Sequence, residues 1–267
     1  MNFFLDVDGT LLPFGCRHVP ESGVKAIREA RAEGHRVFFA TGRSDKEITD
    51  ELYSVGFDGG VFAAGGLIIV DGKEIYHYVL PEEDKEFLLG YCRDHNMDLL
   101  VQSDNGTWAT PKAMRHWHDM LLRFLGADVS VDGLRVADEL PPGTTVNKIL
   151  YITDEGTLED VRRDLCPRFI VIANTLGIPG DLMGEVSPAG ITKATGIRRV
   201  IDYLGDGPES VCAIGDGSND LEMIETSCLG IAMGNAMEEV KAVAGYVAPD
   251  VDKDGLAAAF RHALGKD

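Results

Sequence analysis

The sequence is short of nearly everything that would commit a chain to a membrane, a nucleic acid or an oxidising compartment. No apolar run approaches the ~18 residues of a membrane-spanning helix. The first residues hold neither a basic segment nor a long apolar one, and Asp6 comes too early for a secretory leader. A soluble, cytoplasmic protein is therefore expected. Positive charge is scarce: 25 Lys and Arg stand against 44 Asp and Glu, a formal net charge of −19. Nucleic acids and anionic membrane surfaces require a basic face, so neither is an expected partner. A small phosphate ester stays compatible, because a bound metal and one or two local cations suffice to hold it. The five cysteines (Cys16, Cys92, Cys166, Cys212, Cys228) are odd in number and widely spaced, with no CxxC. They fit buried thiols of a reducing compartment rather than a disulfide frame or a zinc site. Also missing are a GxSxG elbow, a GxxxxGK[ST] loop and a GxGxxG after the first strand. These absences argue against a serine hydrolase, a Walker nucleotide site and a nicotinamide dehydrogenase.

What is present is organised around Asn2–Leu12, which reads NFFLDVDGTLL. Phe3 to Leu5 fit a buried strand, and two carboxylates and a Gly-Thr turn follow at once. Side chains alternate along a strand, so Asp6 and Asp8 share one side and Val7 takes the other. At the carboxyl end of a central strand such a pair sits where α/β sheets bind ligands. Two adjacent acids need a cation or a shared proton between them, and hard oxygen ligands of this kind favour Mg²⁺. The competing reading is a plain Asx-type turn with solvated aspartates.

The 267 residues are 45% hydrophobic and 26% charged, with 31 scattered glycines, which suits a large domain carrying a smaller insertion. In chain order the pattern predicts a helix over Pro20–Glu33 and a buried strand over Arg36–Ala40. Thr41-Gly42-Arg43 follows, and then a helix capped by Ser44 or Asp45 and running through Val55. Short apolar runs at Val61–Ala64, Leu67–Val70 and Glu74–Leu80 read as hairpins. From Glu82 to about Gly184 a separate α+β module is expected. It holds helices at Lys85–His95, Lys112–Leu125 and Thr157–Leu165, strands at Lys148–Thr153 and Arg168–Ala173, and a hairpin across Asn105-Gly106, with two or three helices on one face. From Glu185 the first pattern resumes: helix Ile191–Leu204, strand Val211–Ile214, a helix from Asp220, strand Leu229–Met233, helix Ala236–Val243, strand Gly245–Ala248 and helix Gly255–Leu264. The expected fold is α/β: a Rossmann-like parallel-sheet core, residues 1–81 and 185–267, with an inserted α+β cap, residues 82–184.

Three buried strands thus end in polar residues: Asp6 and Asp8, Thr41, and Gly215-Asp216-Gly217-Ser218-Asn219-Asp220. In a parallel sheet those ends share one edge. Lys193 stands at the start of the helix before the third. The parts match phosphoryl transfer through an aspartyl phosphate, which needs a carboxylate nucleophile, a metal, donors for phosphoryl oxygens and a proton shuttle.

At this point the sequence resembles the haloacid-dehalogenase (HAD) superfamily of phosphatases, in its Cof-like subgroup with a large α/β cap. The likeness rests on DVDGTLL at the start, FFATGR at Phe38–Arg43, EVSPAGITKATGI at Glu185–Ile197 and AIGDGSNDLEMI at Ala213–Ile224. GIAMGNAMEEVK at Gly230–Lys241 and DKDG at Asp252–Gly255 extend it. The resemblance implies that Asp6 attacks phosphorus, and that Asp8 protonates the leaving oxygen and then activates water. Thr41 and the Gly42 amide would hold phosphoryl oxygens, and Lys193 would offset their charge. Mg²⁺ would be bound by the Asp6 side chain, the Asp8 carbonyl and Asp216, with Asp220 as a ligand or supporting partner. Asn219 would orient Lys193 or the phosphate. Relatives often carry Asn-Gly after the third core strand, where this chain has Gly65-Gly66. The implied activity is Mg²⁺-dependent hydrolysis of small phosphorylated metabolites, most readily sugar phosphates. Alternatives are a phosphotransferase or phosphomutase using the same aspartyl phosphate, and a catalytically idle sugar-phosphate sensor. No role is assigned to Arg43, no oligomeric state is implied, and the cap offers no motif for substrate contact.

Three lesser patterns read as structural. Asp250–Gly255 imitates the opening of an EF-hand loop, but the twelfth position is Arg261 where a bidentate Glu is needed. Asn105-Gly106-Thr107 fits a hairpin turn better than a glycosylation acceptor. His116 and His118 diverge on a helix, so they fit an amphipathic face better than a metal pair.

Overall fold

A computed structural model describes residues 1–125, 134–174 and 182–266. The chain divides into two compact units. One comprises Met1–Arg43, Ile48–His77 and Thr192–Asp267; the other comprises Ser44–Glu47 and Tyr78–Ile191.

The first unit opens with β1 (Asn2–Leu5), α1 (Glu21–Ala32) and β2 (Arg36–Ala40). A 3₁₀ turn over Asp45–Glu47 precedes α2 (Asp50–Gly56), and β3 (Gly59–Phe62), β4 (Leu67–Val70) and β5 (Lys73–His77) follow. The helix expected to start at Ser44 or Asp45 starts later. Thr49 is its cap, its side chain accepting from the Leu52 amide at 3.4 Å. Glu47 is drawn elsewhere. Buried in the second unit, it accepts from the Ser44 amide (2.6 Å), Gln102 Nε2 (3.0 Å) and Thr107 Oγ1 (2.6 Å). A buried carboxylate with three donors outweighs one extra helical turn.

The second unit contains α3 (Glu82–Asp94), β6 (Asp98–Ser103), β7 (Gly106–Ala109), α4 (Pro111–Leu125) and β8 (Arg135–Val136). It continues with β9 (Lys148–Ile152), α5 (Leu158–Leu165), β10 (Phe169–Ala173) and β11 (Met183–Pro188). Its six-stranded sheet has the order β10-β11-β9-β6-β7-β8, antiparallel except between β7 and β8. The short edge strand β8 and the interior strand β11 were not expected. In β11, Gly184 to Pro188 pair with β10, so a division of the chain at 184/185 cuts through this strand. Alternation sorts the side chains. Val101, Ile149 and Tyr151 join α3 and α5 in one cluster, while Leu100, Ala109 and Ile152 join α4 in another. Two helices therefore lie on one face and the third on the opposite face.

The first unit resumes with α6 (Lys193–Leu204), β12 (Val211–Gly215), α7 (Leu221–Thr226), β13 (Leu229–Ala232), α8 (Glu238–Val243), β14 (Tyr246–Val247) and α9 (Gly255–Ala263). Its eight-stranded sheet runs β14-β13-β12-β1-β2-β3-β4-β5, parallel from β14 to β3 and antiparallel beyond. Both faces are covered, which is why the strands read as continuous apolar runs. Phe3, Leu5, Val37 and Phe39 face a core completed by Ile27 of α1 and Phe260 of α9. Phe4, Phe38 and Ala213 face α6. Phe3 stacks on Phe260 at 4.5 Å between centroids and Phe4 on Phe38 at 5.1 Å. β1 lies between β2, which follows it in the chain, and β12, which lies two hundred residues on. This reversal of strand order opens a crevice at the carboxyl ends.

Among the described residues no helix is long and apolar enough to cross a membrane. Phe3 is fully buried. Phe3→Ala is expected to cost about 3–5 kcal/mol of unfolding free energy. Urea denaturation followed by circular dichroism checks this; a loss below about 1 kcal/mol would contradict the packing described.

Candidate active site

The crevice is built where β1 and β12 stop. The Asp6 amide donates to the Ile214 carbonyl at 3.0 Å, extending the parallel ladder by one step. The chain then folds back sharply. Leu11 and Leu12 donate to the Val7 carbonyl, and Gly9 donates to the Leu12 carbonyl at 2.8 Å. Gly9 has φ +86, and a Cβ there would fall 2.2 Å from Asp216 Oδ2. Only glycine allows both the left-handed backbone and this approach.

Lys193 arrives from a helix start. Thr192 caps α6, its hydroxyl accepting from the Thr195 amide at 3.1 Å, so Lys193 is the first helical residue. Two glycines seat this first turn. A Cβ on Gly65 would lie 2.2 Å from the Thr192 carbonyl oxygen, and one on Gly196 would lie 2.4 Å from Val61 Cγ1. Gly65 also holds φ +112. At position 65 of this chain there is no room for a side chain, an asparagine included.

Four of the expected residues meet. Lys193 Nζ donates to Asp6 Oδ1 at 2.6 Å and to Asp220 Oδ1 at 2.5 Å, and is 1% exposed. The other Asp220 oxygen accepts from the amides of Asp216 and Gly217, both at 2.9 Å. Asp6, Asp216 and Asp220 present oxygens that all lie within 4.8 Å of one another. Burial pushes the Asp6 carboxyl up to about 7, against the pull of Lys193 and helped by Asp220 and Asp8. Burial likewise pushes Asp216 up to about 8, with Asp6 and Asp220 adding to it. For Lys193 burial works the other way, but Asp220 and Asp6 outweigh it and hold the pKa above the ordinary lysine value. With all three carboxylates ionised, one ammonium would leave surplus negative charge, and the raised values of Asp6 and Asp216 reflect that cost. A hard divalent cation fits that donor set.

Asp8 stands apart from this cluster. Its carboxylate is half exposed and is gripped by Arg43, Nε to Oδ2 at 2.9 Å and Nη2 to Oδ1 at 2.5 Å. Thr41 is buried, its hydroxyl accepting from the Arg43 amide at 3.1 Å, with Gly42 between them. Asn219 lies in the 3₁₀ turn Ser218–Asp220 and makes no hydrogen bond to Lys193, which Asp6 and Asp220 hold instead. Sequence reasoning missed Thr10. Its hydroxyl, fully buried, donates to Asp216 Oδ1 at 2.8 Å. A signal for Thr10 existed, since it belongs to the DGT turn; Arg43, which the sequence left open as a possible salt-bridge residue, pairs with Asp8.

The residues of the lesser patterns have partners of their own. Asp250 pairs with Lys253, and Asn105-Gly106 joins β6 to β7. His116 Nδ1 lies 3.0 Å from Asp98, while Trp117 is buried under the sheet.

A family model of haloacid dehalogenase-like hydrolases matches residues 3–260. The chain belongs to that family. It is an enzyme of the phosphatase type, Cof-like within the superfamily, and its α/β fold with a second sheet is the fold of its structural neighbours. YkrA of Bacillus subtilis (strain 168) is 31% identical over 258 residues, 97% of this chain and 95% of that protein. YcsE of the same organism, named a 5-amino-6-(5-phospho-D-ribitylamino)uracil phosphatase, is 29% identical over 97% of this chain and 93% of its own. Among solved structures, the subclass IIB sugar phosphatase BT4131 superposes with a TM-score of 0.80 at 26% identity, covering 100% and 99% of the two chains.

The seating of Lys193 in this hydrolase is directly testable. Gly65→Ala forces a strained backbone and a clash with the Thr192 carbonyl, and is expected to cost about 1–3 kcal/mol. Assayed well below its melting midpoint, the variant is expected to lose turnover because Lys193 shifts with Thr192. A folded variant with wild-type turnover would show that this contact does not place the ammonium.

Proposed function

We propose that the enzyme hydrolyses small phosphate monoesters, with sugar phosphates as the substrate class, through a phosphoryl group carried on Asp6 with Mg²⁺ bound. The observation carrying this reading is the buried Asp6–Lys193–Asp220 bridge beside Asp216. It holds one Asp6 oxygen against an ammonium and leaves the other for attack. The sugar phosphatase neighbour supports the substrate class. The five cysteines are free, and although only Cys92 and Cys212 are buried as expected while Cys16, Cys166 and Cys228 are exposed, free thiols suit work in a reducing cytoplasm.

In this reading Asp6 Oδ attacks phosphorus and the ester oxygen leaves, taking a proton from Asp8. Both Asp8 oxygens are engaged by Arg43 in the structure, so Asp8 is released from that guanidinium before it serves as acid. Water, deprotonated by Asp8, then attacks phosphorus, the Asp6–phosphorus bond breaks, and phosphate departs. The Thr41 hydroxyl and Gly42 amide receive phosphoryl oxygens, Asn219 orients the phosphate, and Lys193 balances the growing charge. The oxygens of Asp6 and Asp216 and the Asp8 carbonyl would hold Mg²⁺, with Asp220 as a further ligand or supporting partner. The cation supplies charge neutralisation and a fixed template for the phosphoryl group. The second unit acts as the cap that selects the leaving group.

Phosphate release from a panel of sugar phosphates is the test. Activity is expected to vanish with a chelator and return with Mg²⁺. Asp6→Asn, folded as judged by its melting curve, is expected to lose turnover on the order of 10⁴-fold. Normal turnover by that variant would rule out Asp6 as nucleophile. A phosphorylated acceptor as main product would mark a phosphotransferase.

A further inference from the structure

Two segments of the sequence that lend no side chain to the proposed chemistry, GNAMEE after β13 and residues 249–251 just ahead of DKDG, meet at one point of the first unit, and that point touches the site. The turn Met233–Met237 follows β13. The Met233 amide donates to the Gly215 carbonyl and the Met237 amide to the Asp216 carbonyl, both at 3.0 Å. The turn therefore runs along the loop that carries Asp216. From its middle, Asn235 Nδ2 donates to the Gly9 carbonyl at 2.8 Å. The same turn thus holds the β1 loop and the β12 loop at once.

The turn is in turn strapped from behind. Asn235 Oδ1 accepts from the Val251 amide at 2.9 Å, and the Gly234 amide donates to the Pro249 carbonyl at 3.1 Å. The fit is close: a Cβ on Gly234 would lie 2.5 Å from Asp250 Oδ1, and one on Gly255 would lie 2.1 Å from the Pro249 carbonyl. Asn235 is itself exposed, so burial does not explain it. Both ends of its amide are used, Nδ2 towards the β1 loop at Gly9 and Oδ1 towards the strap at Val251, while the turn's backbone amides hold the β12 loop.

We infer that Asn235 is a positioning residue that sets the gap between the Asp6–Thr10 loop and the Asp216 loop, and with it the affinity of the site for a divalent cation. The Gly9 carbonyl belongs to the Gly9–Thr10 peptide. Fixing that plane fixes Thr10, whose hydroxyl holds Asp216 Oδ1 at 2.8 Å, and keeps Gly9 against Asp216. Neither end of Asn235 touches a reacting atom. Its effect passes through Gly9 and Thr10. The inference rests on the reading of this site as a cation site.

Direct Mn²⁺ binding to the whole protein, read by electron paramagnetic resonance, tests it. Two variants are compared with wild type. Asn235→Asp keeps an acceptor for Val251 but cannot donate to Gly9; Asn235→Ala loses both. Each is expected to bind Mn²⁺ about 10–100-fold more weakly, the scale for groups that orient a ligand loop. Their cation-free melting temperatures are expected to stay close to wild type. The sign for Asn235→Asp is decisive, because an added negative charge acting only through its field would tighten cation binding. Unchanged or tighter binding in that variant overturns the inference while wild-type binding leaves the cation reading intact. Absence of Mn²⁺ binding by the wild-type protein sinks both. A weakened Mn²⁺ affinity, with turnover restored at saturating Mg²⁺, supports the positioning role.

Discussion

An ammonium sealed among carboxylates is the constraint on which the rest of the structure turns. Lys193 and Asp220 are removed from water almost completely, and taking such ions out of water costs several kcal/mol each. The cost is offset only by close, well-directed partners. Lys193 has two, at 2.6 and 2.5 Å, and Asp220 has two backbone amides besides. Even so the carboxylates outnumber the ammonium, and burial keeps Asp6 and Asp216 well above the usual acid range. Ionising both carboxylates together would leave surplus charge in a buried site, which a cation would offset in the proposed reading.

Such a cluster cannot hold itself together, so the scaffold is stiff wherever it meets the site. β1 and β2 are buried on both faces by aromatic side chains. The parallel ladder continues past β1 through the Asp6 amide. Close approaches are made by residues without side chains: Gly9 against Asp216, Gly65 against Thr192, Gly196 against Val61. Each shortens a distance that a methyl group would lengthen. Thr10 and Asn235 then supply hydrogen bonds between loops that share no strand.

The second unit follows a different logic. Its sheet is antiparallel for the most part and has apolar clusters on both faces, with α3 and α5 on one and α4 on the other. It also claims four residues from the segment after Arg43. Glu47 gathers three donors there, and the helix that local capping signals would have begun at Ser44 starts instead at Asp50. Local preference for a helix start is worth about 1 kcal/mol. A buried carboxylate left without its donors would cost more.

The sequence by itself determined which residue types stand at the strand ends, because a buried strand must be apolar and a polar break after it is conspicuous. It determined β2 to the residue, the Gly-Thr turn after Asp8, and the position of Lys193 beside a helix start. It also determined the family, since ordered motifs spread over the chain are read directly. Only the tertiary structure decided the pairings: Arg43 with Asp8, Thr10 with Asp216, Asp220 with Lys193, Asn235 with Gly9. It also decided that Gly184 to Pro188 form a strand of the second sheet. The physical reason is the same in each case. Burial and periodicity act on neighbours along the chain and leave a mark there, whereas a hydrogen bond across two hundred residues leaves none until the fold brings its two ends together.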